Sequence, residues 1–259
     1  MQETKKTFNH FKLHTQYSIC EGAIKINDLA DYCKQNKIPA IGLSDSYNLC
    51  GALEFSQEIS RVGTQPIIGT QINFKYKDLI GKVPIFAKTD IGFKNLTKLS
   101  SKSFLDIKEN EDPHCDIINL FENKEDLIIL SGGIDSLLAN LIKNNRQKEV
   151  QNLIEEFKKN FPDLFYLEIQ RHNDTGEKNL EEILLGYSGK FKLPIIASRE
   201  IFYLKKDMHE AHDALICIGE KTYVDEKNRK KYSDQHYIKS NDEIKNLFSD
   251  IPEALHNNY

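Results

Sequence analysis

The sequence predicts an α/β fold built as a barrel of seven strands, and three features predict it. Short apolar runs alternate with longer amphipathic stretches, which is the pattern of βα units and a parallel sheet. The strand candidates form one uninterrupted series of seven, which favours a barrel over an open sheet. The 259 residues are a usual length for one α/β barrel, and such a chain can bury about 70–75% of its unfolded surface.

The strand candidates are His10–Thr15, Ala40–Ser44, Pro66–Phe74, Val83–Ala87, Leu127–Ser131, Phe165–Gln170 and Pro194–Ser198. Between most of them lie helical patterns. Ile26–Asn36 sets Leu29, Tyr32 and Cys33 on one face, and Leu49–Val62 does the same with Leu53, Ile59 and Val62. Further helices are expected at Gly92–Ser103, Ile134–Lys143, Lys148–Asn160, Asn179–Phe191 and Met208–Ile218. Residues 1–204 are expected to form the barrel. Residues 205–259 are expected to form a short helical extension packed on it, with a charged stretch, DEKNRKK, and short helices at Asp242–Phe248 and Ile251–Leu255.

Charged residues make up 29% and apolar residues 39%, with a net charge of −4, as in a water-soluble globular chain. A domain that grips DNA by itself needs a basic excess to neutralise phosphates, so no strong DNA binding is expected. The sequence holds no apolar run of the ~18 residues needed to span a membrane, and MQETKKTFNHFKLH lacks the apolar core of a signal peptide. The five cysteines are scattered and none forms CxxC, which reads as reduced thiols in a cytoplasmic protein.

Three motifs bear on chemistry. LSGGIDS, Leu130–Ser136, is either a phosphate-binding loop of the ATP-pyrophosphatase kind or a strand-to-helix turn capped by Asp135 or Ser136. His209 and His212 stand at i, i+3 rather than the i, i+4 of zinc proteases, and they read as hydrogen-bonded helix histidines. In HFKLHTQYSICEGA, residues 10–23, His10, Lys12 and His14 share one strand face. A metal barrel can use such a row, but a charged lysine cannot ligate.

These residues together resemble a known family. HFKLHTQYSICEGAIKINDLADYCKQNKIPAIGLSDSYNLCGALEF and QPIIGTQINF, then LIILSGG, FYLEIQRHN, PIIASREIFYL, EAHDALICIGE and LFSDIPEAL, are similar in the same order to the N-terminal PHP (polymerase and histidinol phosphatase) domain of bacterial replicative DNA polymerase III alpha subunits. The resemblance implies a distorted seven-stranded, TIM-like (β/α) barrel of the PHP type. It also implies that LSGG is a turn with no role in ATP binding. Active members hold up to three divalent metals on histidines and carboxylates at the strand C-terminal ends, to activate water for phosphoester hydrolysis.

Carried over position by position, that site is broken. The paired strand histidines fall on Lys12 and His14. The acid after them is Glu21. The Asp-His pair falls on Asp45 and Ser46, and the glutamate after the third strand on Gln71. A histidine survives at His172, the final Asp-x-His falls on Glu200 and Phe202, and Lys82 stands where one more histidine is expected. No cofactor is therefore expected, because an ammonium, an amide, a hydroxyl and a phenyl ring stand where ligands should be. Lys12 is expected to replace the metal's charge beside Asp45, Glu200 or Glu21.

The resemblance implies a non-catalytic domain that supports the polymerase palm and thumb further along a longer chain and binds the proofreading exonuclease (epsilon) subunit. The polymerase's own catalytic aspartates are not expected in these residues. The alternative is a residual metal-dependent phosphoesterase, a 3'-5' exonuclease or pyrophosphatase, resting on His14, Asp45, His172 and Glu200, with Glu21 as a further candidate ligand.

Overall fold

The structure is a computed structural model that describes residues 7–259. Its elements in chain order begin with strand β1 (Lys12–Leu13), helix α1 (Ile26–Asn36), β2 (Ala40–Ser46), α2 (Ala52–Arg61), β3 (Gln65–Tyr76), β4 (Leu79–Ala87) and α3 (Asp90–Leu105). They continue with β5 (Cys115–Asp116), α4 (Ile117–Glu122), β6 (Leu127–Leu130), α5 (Leu137–Lys143), α6 (Gln147–Asn160), β7 (Phe165–Ile169) and α7 (Glu177–Phe191). The last are β8 (Ile195–Ala197), β9 (Glu200–Ile201), α8 (His209–Glu220), α9 (Asn241–Leu247) and α10 (Pro252–His256).

The strands run β8-β7-β6-β4-β3-β2-β1-β9. The two ends of this path are consecutive in the chain, separated only by Ser198 and Arg199. One bent segment thus pairs with β7 through its first half and with β1 through its second. The sheet curls into a distorted barrel of seven strands, with β5 as a short appendage on β3.

One expectation fails. The sheet is not wholly parallel, because β4 runs antiparallel to both β3 and β6. Only Lys77 and Asp78 separate β3 from β4, with Lys77 at φ 58°. A connection that short can only be a hairpin, since a parallel crossover needs a dozen residues or more.

The helices bury their apolar stripes on this frame. In α1 the buried residues are Ile26, Leu29, Ala30 and Cys33. In α2 they are Ala52, Phe55 and Ile59, the i, i+4 pair Phe55–Ile59 setting the face. Leu53, placed on that face from the sequence, is 70% exposed. The extension after Leu204 packs against the barrel. α9 starts with a capping box of Ser240 and Glu243. Asn258 ties the chain end back to Asn9 and to Ala197 O in β8. No helix among the described residues is long and apolar enough to cross a membrane.

Candidate functional site

The site is built at the C-terminal ends of the barrel strands, where β1, β2, β3, β7 and β9 bring polar side chains into a buried space. Strand alternation points Lys12 and His14 inward on either side of Leu13, and all three are fully buried. Lys12 Nζ donates to Glu168 on β7 at 3.1 Å (Oε1) and 3.4 Å (Oε2), and lies 3.8 Å from Glu200 Oε2. Gln170 Nε2 donates to the same Glu168 Oε1. Gln170 also packs against Gly133 of the LSGG turn, where an added Cβ would fall 2.3 Å from Gln170 Oε1.

A second ammonium sits nearby. Lys82 Nζ donates to Glu21 Oε1 at 2.9 Å and lies 3.5 Å from Ser46 Oγ, while Ser46 Oγ donates to Glu21 Oε2. Burial alone would raise the pKa of Glu21, but the charges of Lys82 and His14 outweigh it and hold the carboxyl down at about 2. The same balance acts at Glu200. Burial opposes ionisation there, and Lys12, the His14 hydrogen bond and Lys82 keep its pKa well below the usual carboxylate range.

The remaining positions are locked in protein-to-protein bonds. His14 Nε2 lies 2.9 Å from Glu200 Oε1 and 3.1 Å from Gln71 Nε2. Its Nδ1 is 3.2 Å from Ser18 Oγ. Asp45 turns away from the lysines. It accepts from Thr15 N at 2.6 Å, Thr15 Oγ1 at 2.7 Å and Ser18 Oγ at 2.7 Å, so its carboxylate holds the loop after β1. His172 Nε2 accepts the Glu200 N–H at 3.0 Å, so Nδ1 carries the proton that it donates to Glu177 Oε1 at 2.7 Å. Burial holds its pKa well below 6.5, and its one lone pair is spent. Phe202 packs its ring on His14 at 4.6 Å, filling the space with carbon.

These residues do not fit the divalent metals that active PHP sites hold. A site for several divalent ions needs neutral imidazoles and anionic oxygens with free lone pairs. Here each donor already faces a protein partner, and two ammonium groups lie among the acids, Lys12 beside Glu168 and Glu200 and Lys82 beside Glu21. One other donor set is present among the described residues. His172, Asp174 and His236 bring one atom each within 4.8 Å of one another. The rings of His172 and His236, however, stack in parallel at 4.1 Å and 3°. Imidazole ligates in its own plane, so stacked rings cannot direct both lone pairs at one ion. Both His236 nitrogens also face acceptors, Glu200 O at 2.9 Å and Asp174 Oδ2 at 2.8 Å.

Lys12, His14, Glu21, Asp45, Ser46, Gln71, Lys82, His172, Glu200 and Phe202 lie around one buried space. Among the acids expected beside Lys12, Glu200 is near and Asp45 is not. The principal partner, Glu168, was missed, although FYLEI places it inward on β7 by simple alternation. Glu177, Asp174 and His236 were missed as well, since they lie on loops, a helix start and the distant extension. His209 and His212 face protein partners: His212 Nε2 lies 2.9 Å from Glu21 O, and His209 Nδ1 is near Tyr203 OH. In LSGGIDS, Gly132 takes φ 80° and Ser136 Oγ caps α5 by accepting from Ala139 N, a capped strand-to-helix turn.

Comparison with known proteins places this geometry. The PHP domain family profile matches residues 10–172. The chain is 33% identical to DNA polymerase III subunit alpha of Caulobacter vibrioides over 261 aligned residues, covering 96% of this chain and 23% of that protein. It is 36% identical to the subunit of Borreliella burgdorferi, over 98% and 23% of the two chains. The Vibrio cholerae subunit is 33% identical over 96% and 22%. The chain thus spans less than a quarter of the length of these relatives. A crystal structure from Bifidobacterium adolescentis, named for metal-dependent phosphoesterase activity, superposes with a TM-score of 0.52 at 12% identity, over 76% of this chain and 88% of that one, which supports the shared fold. The chain belongs to the PHP domain family.

Proposed function

We propose that this chain is the PHP domain of a replicative DNA polymerase III alpha subunit, acting in the cytoplasm in chromosomal DNA replication, and that its phosphoesterase pocket is non-catalytic. The similarity over nearly the whole chain to alpha subunits supports the first part. The observation that carries the second is the pair of ammonium groups, Lys12 between Glu168 and Glu200 and Lys82 on Glu21. A divalent ion entering this space meets two fixed positive charges. DNA synthesis then belongs to parts of the longer relatives that this chain does not span.

The domain's role on this reading is to support the polymerase body and to dock the proofreading exonuclease subunit. The docking half rests on the resemblance alone. It is tested by mixing the chain with the exonuclease subunit of the same organism and following complex formation by gel filtration and calorimetry. A stoichiometric complex with no phosphoester hydrolysis is expected. No binding at micromolar concentrations of both proteins would remove the docking role.

A further inference from the structure

We propose that the segment between Thr222 and Lys239 is a strap over the barrel mouth, with Tyr232 as its stopper, so that the pocket is narrowed against phosphoester-sized groups as well as filled with lysine. The inference rests on the geometry of the mouth and is independent of whether a metal can bind beneath it.

The strap reaches the end of β9, where Tyr237 bridges Tyr203 in parallel, and barrel sites form at such strand ends. Tyr232 reaches inward from it. Its ring packs on Phe202 at 4.8 Å and on His236 at 5.0 Å. It shares the walls of the opening with Gln71, Lys82, Gly133, Asp135 and Glu200. The space left there is about 10 Å³, room for one water molecule at most. A phosphoester group does not fit without moving the strap.

The strap is fastened on both sides of its stopper. Before Tyr232, Arg229 makes a two-pronged pair with Asp213 of α8, at 2.7 and 2.6 Å. After it, Ser233 N donates to Asp174 Oδ1 at 2.9 Å and Ser233 Oγ donates to His172 O. His236 spans Asp174 and Glu200 O, and Phe202 N donates to His236 O at 3.0 Å. Three fastening points, the His172, Glu200 and Phe202 backbones, belong to pocket residues, so the strap and the pocket network share parts. Acids also surround the stopper. Burial and the charges of Glu21 and Glu200 push the Tyr232 hydroxyl well above its usual pKa of 10, which keeps the ring neutral in its seat.

The test is the accessibility of a thiol beneath the strap. Ser46→Cys places it there, in a background with Cys20→Ser and Cys50→Ser. The other cysteines, Cys33, Cys115 and Cys217, are buried. With the strap intact, N-ethylmaleimide should label Cys at 46 far more slowly than it labels Cys50 in the natural chain. Tyr232→Ala, and separately Arg229→Gln, should each speed labelling by about tenfold or more, as expected when a local opening becomes easier. Thermal melts establish that each variant is folded. Should the Ser46 variant not fold, amide exchange over Ile201–Leu204 in otherwise natural chains serves instead, and Arg229→Gln should accelerate it. Labelling as fast as at Cys50 with the strap intact, or rates unchanged by both strap variants, would overturn the proposal.

Discussion

Lys12 Nζ lies 3.1 Å from Glu168 Oε1, and the two side chains are 1% and 0% exposed. A buried ion pair of this kind is held by mutual compensation. Removing one partner strands the other's charge in a buried space. Lys12→Ala should therefore destabilise the domain by about 3–5 kcal/mol. Lys12→Met combined with Glu168→Gln should recover most of that loss, because no unpaired Glu168 carboxylate remains. Chemical denaturation of the three proteins measures this. A loss below about 1 kcal/mol for Lys12→Ala, the level of a solvent-exposed pair, would show that Lys12 does not hold the pocket.

Acid should unfold the domain in two stages. Burial lowers the pKa of His10 and of His212 from 6.5 to about 4. Both rings are neutral in the folded chain, whereas the unfolded chain takes up protons below pH 6.5. Their stabilisation is complete above pH 6.5 and is lost as the pH falls toward 4. Glu21, held at about 2, adds a second loss from pH 4.5 toward 2. The melting temperature should fall steadily from pH 7 to 4, and His10→Gln should flatten the upper part of that slope. A melting temperature constant from pH 7 to 4.5 would contradict this.

Gly22 should tolerate no side chain. A Cβ there would lie 2.1 Å from Thr15 O and 2.6 Å from His14 O, which is backbone with little room to yield. Gly22→Ala should cost about 1–3 kcal/mol, as overpacking does, and should displace Glu21 from Lys82. Melting curves and amide exchange near Glu21 would report both effects. Wild-type stability in this variant would show that the loop is looser than described.

The barrel and the buried pocket were legible in different ways. Ala40–Ser44 and Phe165–Gln170 read as strands because both are buried on two faces and form short apolar runs bounded by polar residues. The hairpin of β3 and β4 was equally legible, since no helical pattern separates Phe74 from Val83, yet a uniform βα reading hid it. The α2 face was misjudged because Leu53 looks like core, whereas the geometry buries Phe55. At the site, Lys12, Ser46, Gln71 and Phe202 could be named because each departs from a known ligand position. Glu168 could not, since it is no departure: only its neighbour Lys12, 156 positions away in sequence, makes it matter. Asp174 and His236 meet through the strap, a tertiary contact that no local pattern encodes.

DNA should bind this chain weakly. The net charge is −4, and counterion release from phosphates needs a basic surface. A fluorescence titration with primer-template DNA near physiological salt should show no saturation below micromolar protein. Sub-micromolar affinity that falls with salt would reveal a basic surface that the overall charge conceals.

Lysine ammonium groups that stand in for metal ions should leave the chain without metal, and elemental analysis reads this out. The chain, purified without chelators and dialysed against zinc or manganese, should hold well below one ion per molecule by elemental analysis, with phosphodiester hydrolysis at background. Lys12→His should not change that result, because Ser46, Gln71 and Phe202 still withhold ligands. One or more tightly held ions per natural chain, removable by chelator with loss of phosphoesterase activity, would contradict the account.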